Sequence, residues 1–331
     1  MRIATWNVNS VNARLPTVLA WLEAARPDVV GFQEIKCLDE KFPREAFEDL
    51  GYNVEIHGQK SYNGVALLSK HPVSDVHRGL PGVDPTGIEA EGEQSRYIEA
   101  LIEAPRPVRV GCLYLPNGNP VGTAKFAYKL AWMERLQAHA RSLLAQEEAF
   151  TLCGDYNVIP TPEDARNPAA WTNDALFQPE SQAAFRALRH LGLYEAGELG
   201  KQPPGTYTFW DYQAGAWQRD HGIRIDFHLL SPQAGDRFRG VQSHPDPRGR
   251  GLPGARPTFF FAPARLRKRA DDWGREGLGE RVAAAWDDFV PVVKNWLKVT
   301  HGNRADVEAV YAATLDGKVK PEDGHILTLK E

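Results

Sequence analysis

Cysteine is scarce in this chain of 331 residues, and signals for secretion or membrane insertion are missing. The three cysteines, Cys37, Cys112 and Cys153, are scattered and form no C-x-x-C pair, which argues against a disulfide framework or a structural zinc site. The N-terminus has no apolar region of a signal peptide, and no apolar run is long enough to cross a bilayer. We therefore expect a cytoplasmic protein with no membrane partner.

A strong excess of basic charge and the common catalytic motifs are also missing. The net charge of −4 excludes a uniformly basic nucleic-acid binder, so that any polyanion must meet a local patch. No G-x-G-x-x-G, Walker A, G-x-S-x-G or H-E-x-x-H motif occurs, which argues against nucleotide binding, serine hydrolases and zincins. The hydrophobic share of 42% is enough for one large core or two ordinary ones.

Helical and strand-like segments alternate along the chain. Apolar spacing predicts helices over residues 15–25, 125–147 and 180–191, the first of them stopped by Pro27. Several short apolar segments between them have the composition of strands, and 97–104 with 108–115 is predicted to form a hairpin. This pattern favours an α/β protein with sheets packed on each other and flanked by helices.

Polar side chains follow several of the strand-like segments. The stretch Phe150–Thr161 opens apolar like a buried strand, stops at Gly154 and presents Asp155 and Asn157, which would point the same way on an extended chain. Asn7 and Asn9 are predicted to share a face in the same manner. Asp226 stands inside an apolar strand, where a carboxylate needs a partner. Each residue taken alone is also compatible with an ordinary turn or surface position.

Taken together, a series of strings identifies the chain as resembling one known family. The resemblance is to the exonuclease III / abasic-site endonuclease family, within the endonuclease–exonuclease–phosphatase superfamily, and it extends over roughly residues 1–240. The strings are Trp6-Asn7-Val8-Asn9-Ser10, Pro27-Asp28-Val29-Val30-Gly31-Phe32-Gln33-Glu34-Ile35-Lys36, Gly51-Tyr52-Asn53-Val54, His57-Gly58-Gln59-Lys60, Gly64-Val65-Ala66-Leu67-Leu68-Ser69, Gly154-Asp155-Tyr156-Asn157 and Arg224-Ile225-Asp226.

The resemblance implies a fold and an activity. The fold would be a four-layered sandwich of two packed mixed β-sheets flanked by helices, similar to DNase I, over residues 1–261. The activity would be Mg²⁺-dependent hydrolysis of DNA 5′ to an abasic site, leaving a 3′-hydroxyl, with 3′–5′ exonuclease activity, in base excision repair. Mn²⁺ is an alternative metal. The expected partner is double-stranded DNA with abasic sites or 3′ ends, bound by a monomer that works at the bacterial nucleoid.

The resemblance also implies roles for catalytic residues. Glu34 would be the main Mg²⁺ ligand, helped by Asn7, since hard oxygen ligands suit this ion. Asp155 would position or deprotonate the attacking water. Asn157 and Tyr114 would donate to the scissile phosphate, and Asp226 would orient a catalytic histidine.

Contacts with DNA are implied as well. Arg96 and the loop residues Lys60, Tyr62 and Asn63 resemble contacts to the DNA backbone, and Asn117 would lie beside the target phosphate. Phe209, Trp210, Ile223 and Ile225 resemble an apolar pocket for a flipped abasic sugar; core packing is the alternative for the two aromatic residues. Arg224 is counted with the DNA contacts, although it could be a simple surface charge.

The chain departs from the family at its catalytic histidine. A Ser-Asp-His-Ala-Pro string is expected about thirty residues after Asp226, but Ala255 and Arg256 stand where the Asp and His should be. The segment 248–257 is rich in Arg, Gly and Pro and is predicted as a loop. His244 could substitute from a displaced loop, or a shifted reading frame could have altered this segment.

Two alternatives to a repair nuclease remain open at this point. Loss of the Asp–His pair would leave a catalytically weak lesion-binding paralogue, because binding can survive the loss of one member of a catalytic unit. A phosphodiesterase outside repair, such as an inositol-phosphate phosphatase, is the other, though 57–60 and Phe209-Trp210 favour DNA. Residues 262–331 have no counterpart in the family and are predicted to form a small helical extension of unknown role, with a fused stretch of unrelated reading frame as the alternative.

Overall fold

The computed structural model describes residues 1–91, 94–211, 215–243, 254–255 and 258–261. The chain divides into a unit Met1–Pro263 and a unit Ala264–Glu331, and the second unit lies outside the described residues. The helical extension predicted over 262–331 therefore stays a prediction. In the part of the chain that the structure describes, no helix has the length and apolarity needed to cross a bilayer.

The described residues form fifteen strands and six α-helices, joined by turns and short 3₁₀ segments. The strands are β1 (Arg2–Asn7), β2 (Val29–Gln33), β3 (Asn53–His57), β4 (Val65–Ser69), β5 (Val73–Arg78), β6 (Tyr97–Ile102), β7 (Val108–Tyr114), β8 (Phe150–Asp155), β9 (Tyr194–Glu195), β10 (Phe209–Trp210), β11 (Gly222–Ile223), β12 (Asp226–Leu230), β13 (Gly240–Ser243), β14 (Gly254–Ala255) and β15 (Thr258–Phe261). The helices are α1 (Leu15–Ala25), α2 (Arg44–Glu48), α3 (Ala124–Leu144), α4 (Pro179–Arg189), α5 (Ala196–Leu199) and α6 (Pro232–Gly235).

Most strands belong to two six-stranded mixed sheets. The first has the order β13-β15-β1-β2-β4-β3, the second β5-β6-β7-β8-β12-β9, and a three-stranded sheet has the order β11-β10-β14. Each large sheet contains one parallel pair, β1 with β2 and β7 with β8. The predicted fold class of two mixed sheets flanked by helices is confirmed.

Three apolar clusters divide the sandwich into layers. One lies between the two sheets and includes Ile3, Val65, Val110 and Cys153. A second packs α1 on the outer face of the first sheet, with Trp21 against Trp6. The third packs α3 and α4 on the outer face of the second sheet, and all three clusters are buried. The sandwich thus has four layers, helix, sheet, sheet and helix.

The loop predicted over 248–257 was wrong for Gly254–Ala255. These two residues form β14, which pairs antiparallel with β10, and Thr258–Phe261 then joins the first sheet beside β1. The physical reason is the run Thr-Phe-Phe-Phe, since β-branched and aromatic residues favour a strand, and β1 offers an edge for it. The other residues of 248–257 lie outside the described ranges.

Candidate active site

Five polar residues from five different strands meet at one edge of the sandwich. Asn7, Tyr114 and Asp155 are the last residues of β1, β7 and β8. Asp226 is the first residue of β12, and Glu34 follows β2 directly. The parallel strands β1 and β2 end together, as do β7 and β8, and a hydrogen bond from Asn7 to Asp155 brings the two pairs to the same edge. The strand ends that the sequence singled out therefore converge, on a stiff scaffold.

Asn7 links the two sheets within this cluster. Its Nδ2 donates to Glu34 Oε1 at 2.8 Å and to Asp155 Oδ2 at 3.0 Å. Its Oδ1 accepts from the backbone N–H of Asn9 at 3.1 Å. The amide thus holds one carboxylate from each sheet at a fixed separation, and its oxygen faces the backbone rather than the carboxylates.

Glu34 is surrounded by hydrogen-bond donors. Lys36 Nζ lies 2.7 Å from its Oε2, and the Tyr114 hydroxyl also bonds it. Burial works to raise the pKa of Glu34, but the hydrogen bonds of Asn7 and Lys36 and the Lys36 charge outweigh it, so the pKa falls below its ordinary value. The backbone has a φ of 52° at Glu34 and 53° at Lys36, in the left-handed region. Such strain in non-glycine residues is typical of functional sites.

Asp155 and Asn157 converge, but not through strand alternation. Strand β8 ends at Asp155, and the chain then takes a φ of 46° at Asn157, so the extended geometry predicted from the sequence was wrong. The Asn157 N–H instead donates to Asp155 Oδ1 at 2.9 Å, a turn for which Asp side chains are suited. Only glycine fits at position 154, because a Cβ there would lie 1.9 Å from the Leu113 carbonyl oxygen.

Asn7 and Asn9 likewise do not share a face. Asn9 has a φ of 44°, and its Oδ1 accepts from Lys36 Nζ at 2.5 Å. The Lys36 ammonium thus bridges Asn9 and Glu34. Lys36 was not predicted as part of the site, although its place two residues after Glu34 was a usable signal.

Asp155 and Asp226 form a buried pair of carboxyl groups. They lie directly opposite each other in the antiparallel register of β8 and β12. Burial raises the pKa of Asp155 to about 7, against the lowering effect of the Asn7 and Asn157 hydrogen bonds. Burial also raises the pKa of Asp226 well above its ordinary range, and the Asp155 charge raises it further. The Thr208 hydroxyl works to lower this pKa, but among the described residues neither oxygen of Asp226 accepts a hydrogen bond of normal geometry.

Asn117 and Asn157 form a polar rim beside this pair. Asn157 Nδ2 donates to the Leu115 carbonyl at 2.9 Å, and Asn117 Nδ2 approaches Asn157 Oδ1 at 3.4 Å. Asn157 is buried whereas Asn117 is exposed, so the rim leads from the carboxylates to the surface. Both residues lie where a phosphate beside Asp155 could be reached.

The predicted DNA contacts differ in how free their side chains are. Lys60 and Tyr62 are exposed. Arg96 is half-buried and lies over the Tyr114 ring, 4.8 Å from its centroid, which places its charge next to the carboxylate cluster. Asn63 is buried, and its amide donates to Gln59 Oε1 at 2.9 Å, so this side chain shapes the loop from within.

The four predicted pocket residues fall into two groups. Ile223 and Ile225 are buried in a cluster against which the half-buried Phe209 packs. Trp210 lies outside that cluster: its ring is 2% exposed and packs on Trp217 and Tyr207. For Trp210 the core alternative describes the structure, since its indole N–H is also bonded, to Asp220 at 3.1 Å.

Arg224 is not a free surface charge. Its Nε donates to Asp164 at 2.6 Å and its Nη1 to Glu195 at 3.1 Å, and its side chain is 19% exposed. The guanidinium charge is therefore committed to two carboxylates. His244 and Arg256 lie outside the described residues, so the substitution proposed for His244 stays a prediction.

The cluster fits a divalent cation held by few protein ligands. Among the described residues, no group of three His, Cys, Asp or Glu side chains is arranged to cage a metal. Mg²⁺ does not need such a cage, because it keeps several waters and takes one or two carboxylates. Glu34 supplies an ionised carboxylate that is 19% exposed, which meets that requirement. Asn7 was predicted to help bind the metal, and in the structure its amide nitrogen, not its oxygen, points to Glu34.

Known proteins match this chain over the residues that build the site. The sequence profile of the Endonuclease/Exonuclease/phosphatase family matches residues 4–273. A second profile, of a family described as a protein of unknown function (DUF2855), matches residues 237–320, which lie mostly outside the described ranges. Exodeoxyribonuclease III of Haemophilus influenzae is 32% identical over 250 residues, 72% of this chain and 90% of that protein. The DNA repair nuclease APEX1 of Danio rerio is 30% identical, over 70% of this chain and 73% of that protein.

Solved structures agree with the sequence comparison. A 3′ phosphatase, NExo from Neisseria, bound to a product DNA hairpin, is 32% identical with a TM-score of 0.73, and covers 80% of this chain and 100% of its own. An AP endonuclease from Archaeoglobus fulgidus is 31% identical with a TM-score of 0.72, with the same coverage. The carboxylate cluster at the strand ends, the sequence match and these structures agree on one assignment. The chain belongs to the exonuclease III / abasic-site endonuclease family of hydrolytic nucleases, within the endonuclease/exonuclease/phosphatase superfamily.

Proposed function

We propose that this protein is a Mg²⁺-dependent nuclease that cuts double-stranded DNA 5′ to an abasic site and removes nucleotides from 3′ ends. The observation that carries the proposal is the Asn7 bridge, which joins an ionised Glu34 to a buried Asp155 whose pKa is raised to about 7. One carboxylate suited to a cation and one suited to a proton thus lie side by side. That pairing is what metal-assisted hydrolysis of a phosphodiester needs.

Asp155 is the group that handles the proton. A base whose pKa lies near the working pH both accepts and releases a proton readily. Asp155 would orient a water and take its proton as the water oxygen bonds to phosphorus. The bond from phosphorus to the 3′ oxygen breaks, and that oxygen takes a proton from solvent water to leave a 3′-hydroxyl. Asn7 and the Asn157 N–H fix the two oxygens of Asp155 for this step.

Tyr114, Asn117 and Asn157 would receive the phosphate. Amide N–H and phenol O–H donors, held by the fold, stabilise the charge that builds on phosphate oxygens in the transition state. Burial, with the charges of Glu34 and Asp155, raises the pKa of Tyr114 well above its ordinary value, so the phenol keeps its proton. A protonated phenol can donate to a phosphate oxygen when its hydroxyl turns away from Glu34, and a phenolate could not.

Glu34 would hold the divalent cation, Mg²⁺ or Mn²⁺. A cation bound there supplies positive charge to a phosphate oxygen and to the developing negative charge. Lys36 keeps Glu34 ionised and oriented through its ion pair, and Asn7 does the same from the other oxygen. The relatives that are named as nucleases support a reaction of this kind.

Recognition of the lesion would rest on charge and shape. Lys60 and Arg96 would contact the DNA backbone, and the half-buried Phe209 would contact a flipped abasic sugar. Extruding a nucleotide without a base forgoes less stacking, which favours the lesion. The product DNA hairpin bound to the Neisseria protein supports a nucleic-acid substrate.

A second candidate is a protein that binds abasic DNA but cuts it slowly. Arg256 in place of the expected histidine favours it, because Asp226 would then lack the residue that it is expected to orient. Ala255 in place of the expected acidic residue points the same way. Removing one member of a catalytic unit can abolish most of the rate while binding survives.

The test is cleavage of a duplex that contains one abasic-site analogue. Wild type is assayed with Mg²⁺, with Mn²⁺ and with a chelator, beside an intact duplex, a recessed 3′ end and an inositol phosphate. We expect Mg²⁺-dependent incision, extension of the product by a DNA polymerase because it ends in a 3′-hydroxyl, and loss of cutting in Asp155→Asn. Arg141→Gln, an exposed change on α3, is the matched control. Lesion-selective binding without cutting would favour the second candidate, and release of phosphate from the inositol substrate alone would contradict both.

A further inference from the structure

A buried lysine lies beneath the polar rim of the active site. Lys129, on α3, is fully buried, and its Nζ donates to the carbonyl oxygens of Asn157 at 2.5 Å and of Pro116 and Asn117 at 3.2 Å each. An ammonium group has three N–H donors, and three acceptors use all of them. A buried charge is costly unless it is bonded in this way.

The three carbonyls belong to two different strand ends. Pro116 and Asn117 follow β7, and Asn157 follows β8. Lys129 therefore ties together the two loops that carry the amides of Asn117 and Asn157. The side-chain amides of Asn117 and Asn157 also approach each other, at 3.4 Å.

The loop is shaped to fit the stem of the lysine. Gly118 has a φ of 89°, and a Cβ at this position would lie 2.6 Å from Lys129 Cδ and 3.2 Å from its Cβ. The backbone between Asn117 and Asn119 thus lies directly against the methylene groups of Lys129. This contact is independent of the hydrogen bonds and fixes the same loop.

The charges around Lys129 belong to the active site. Burial lowers the pKa of Lys129 to about 7, while Asp155 and Asp174 favour its charged form. Asp174 also accepts from Asn119 at 3.0 Å, and Asn119 in turn donates to Asn117 Oδ1 at 2.8 Å. An apolar side chain would fill this place at less cost if packing alone were needed.

We propose that Lys129 is a positioning residue for the reaction, which acts through the backbones of Asn117 and Asn157 to hold their amides at the scissile phosphate. The inference rests on the proposed nuclease function. Lys129 does not touch the substrate; its effect is the placement of two donors. Misplacing such groups by about 1 Å costs about 100-fold in rate, whereas ground-state binding depends on many other contacts.

The test compares Lys129→Met with Lys129→Arg and with Arg109→Met. Arg109 is also a buried base, paired with Asp75 at 2.6 Å, but it lies at the opposite end of β7. Single-turnover cleavage of the abasic duplex gives the rate, titration of enzyme gives the affinity, and thermal unfolding identifies temperatures at which each variant is folded. Hydrogen exchange is followed in segments 115–119 and 156–159.

We expect the Lys129→Met rate to fall about 10- to 100-fold with affinity changed less than about threefold, and Lys129→Arg to recover most of the rate. Exchange should quicken in the two segments in Lys129→Met and not in Arg109→Met. Gly118→Ala disturbs the same contact from the loop side, and we expect it to lower the rate as Lys129→Met does. It therefore serves as the test if Lys129→Met does not fold. An unchanged rate in folded Lys129→Met, a loss confined to affinity, or an equal loss in Arg109→Met would overturn the inference.

Failure of the proposed function would look different. In that case wild type and Asp155→Asn would cut equally little, whatever residue stands at position 129. Hydrogen exchange would then test only whether Lys129 holds the loops after β7 and β8. Faster exchange in both segments of Lys129→Met would support this, and unchanged exchange would overturn it.

Discussion

Asp226 and Asp155 face each other across the antiparallel pair of β12 and β8, and both carboxyl groups are buried. Two neighbouring carboxyl groups in a low dielectric cannot both ionise without a cost in free energy. Asp155 has the Asn7 amide and the Asn157 N–H as donors, whereas among the described residues the oxygens of Asp226 accept no hydrogen bond of normal geometry. The buried pair therefore lowers the stability of the fold at neutral pH. It also gives Asp155 a raised pKa, at which the carboxylate can take a proton.

This relationship predicts that Asp226→Asn stabilises the fold. The pKa of Asp226 is raised in the folded state, so the protonated side chain stabilises the fold at low pH. This contribution to stability is lost as the pH rises through the folded-state pKa. The variant should have a higher Tm than wild type at pH 8, with a difference that shrinks as the pH falls. Thermal unfolding with a chelator, from pH 5 to pH 8, measures it.

Asp75→Asn is the control with the opposite sign. The Arg109 hydrogen bond lowers the pKa of the exposed Asp75, so its charged form stabilises the fold above the unfolded pKa. This variant should lose Tm at pH 8. Equal and pH-independent shifts in Asp226→Asn and Asp75→Asn would show that the buried pair has no such linkage.

Glu34→Gln should abolish the response to a divalent cation. The neutral amide keeps the size of Glu34 but lacks the charge that a hard cation requires. Loss of about 3 kcal/mol of transition-state stabilisation would lower kcat by about 100-fold. Wild type should gain Tm with Mg²⁺ or Mn²⁺ and Glu34→Gln should not. Glu148→Gln, an exposed acid at the other end of the sheet, is the control, and an equal gain in Glu34→Gln would place the cation elsewhere.

Lys60→Ala and Arg224→Ala should separate DNA binding from folding. Lys60 is exposed, so we expect weaker binding to every duplex and a salt dependence reduced by about one unit of slope. Arg224 is bonded to Asp164 and Glu195, and its loss leaves two buried carboxylates without their ionic partner. Arg224→Ala should therefore lower Tm and leave the salt slope unchanged. A reduced slope in Arg224→Ala would mean that this residue meets phosphate.

Phe209→Ala should change the recognition of the lesion, whereas Trp210→Ala should change the stability of the fold. Phe209 is half-buried against Ile223 and Ile225, where a sugar could pack, so its loss should lower the preference for abasic over intact duplex by about 10-fold. Trp210 is 2% exposed, and its truncation should cost about 3–5 kcal/mol of stability. Competition between labelled duplexes measures the preference. Loss of preference in folded Trp210→Ala alone would reverse the assignment.

The sequence was sufficient for the positions of the strand ends but not for the turns that follow them. Apolar runs ending in Asn7, Tyr114 and Asp155 predicted where chemistry would lie, because strand periodicity is a local property. The left-handed turns at Asn9 and Asn157 were not predicted, because Asn and Asp side chains can replace backbone hydrogen bonds in several ways. Helix α1 was predicted to the residue, since its apolar spacing and Pro27 both mark it.

Long-range ionic partners were the least predictable feature. Arg224 lies 60 residues from Asp164 and 29 from Glu195, so nothing near it in the chain shows that its charge is used. Lys129 stands in an amphipathic helix where a lysine suggests the solvent side, yet the loops after β7 and β8 cover it. Both were decided by tertiary packing, which a pattern of single residues does not contain.

The most direct test of the account is single-turnover incision of a duplex with one abasic-site analogue, by wild type and by Asp155→Asn, with and without Mg²⁺. The account predicts rapid Mg²⁺-dependent cutting by wild type and a rate lower by at least about 100-fold in Asp155→Asn, with binding preserved. Cutting by Asp155→Asn at the wild-type rate would contradict it, because the carboxylate held between Asn7 and Asn157 would then have no part in the chemistry.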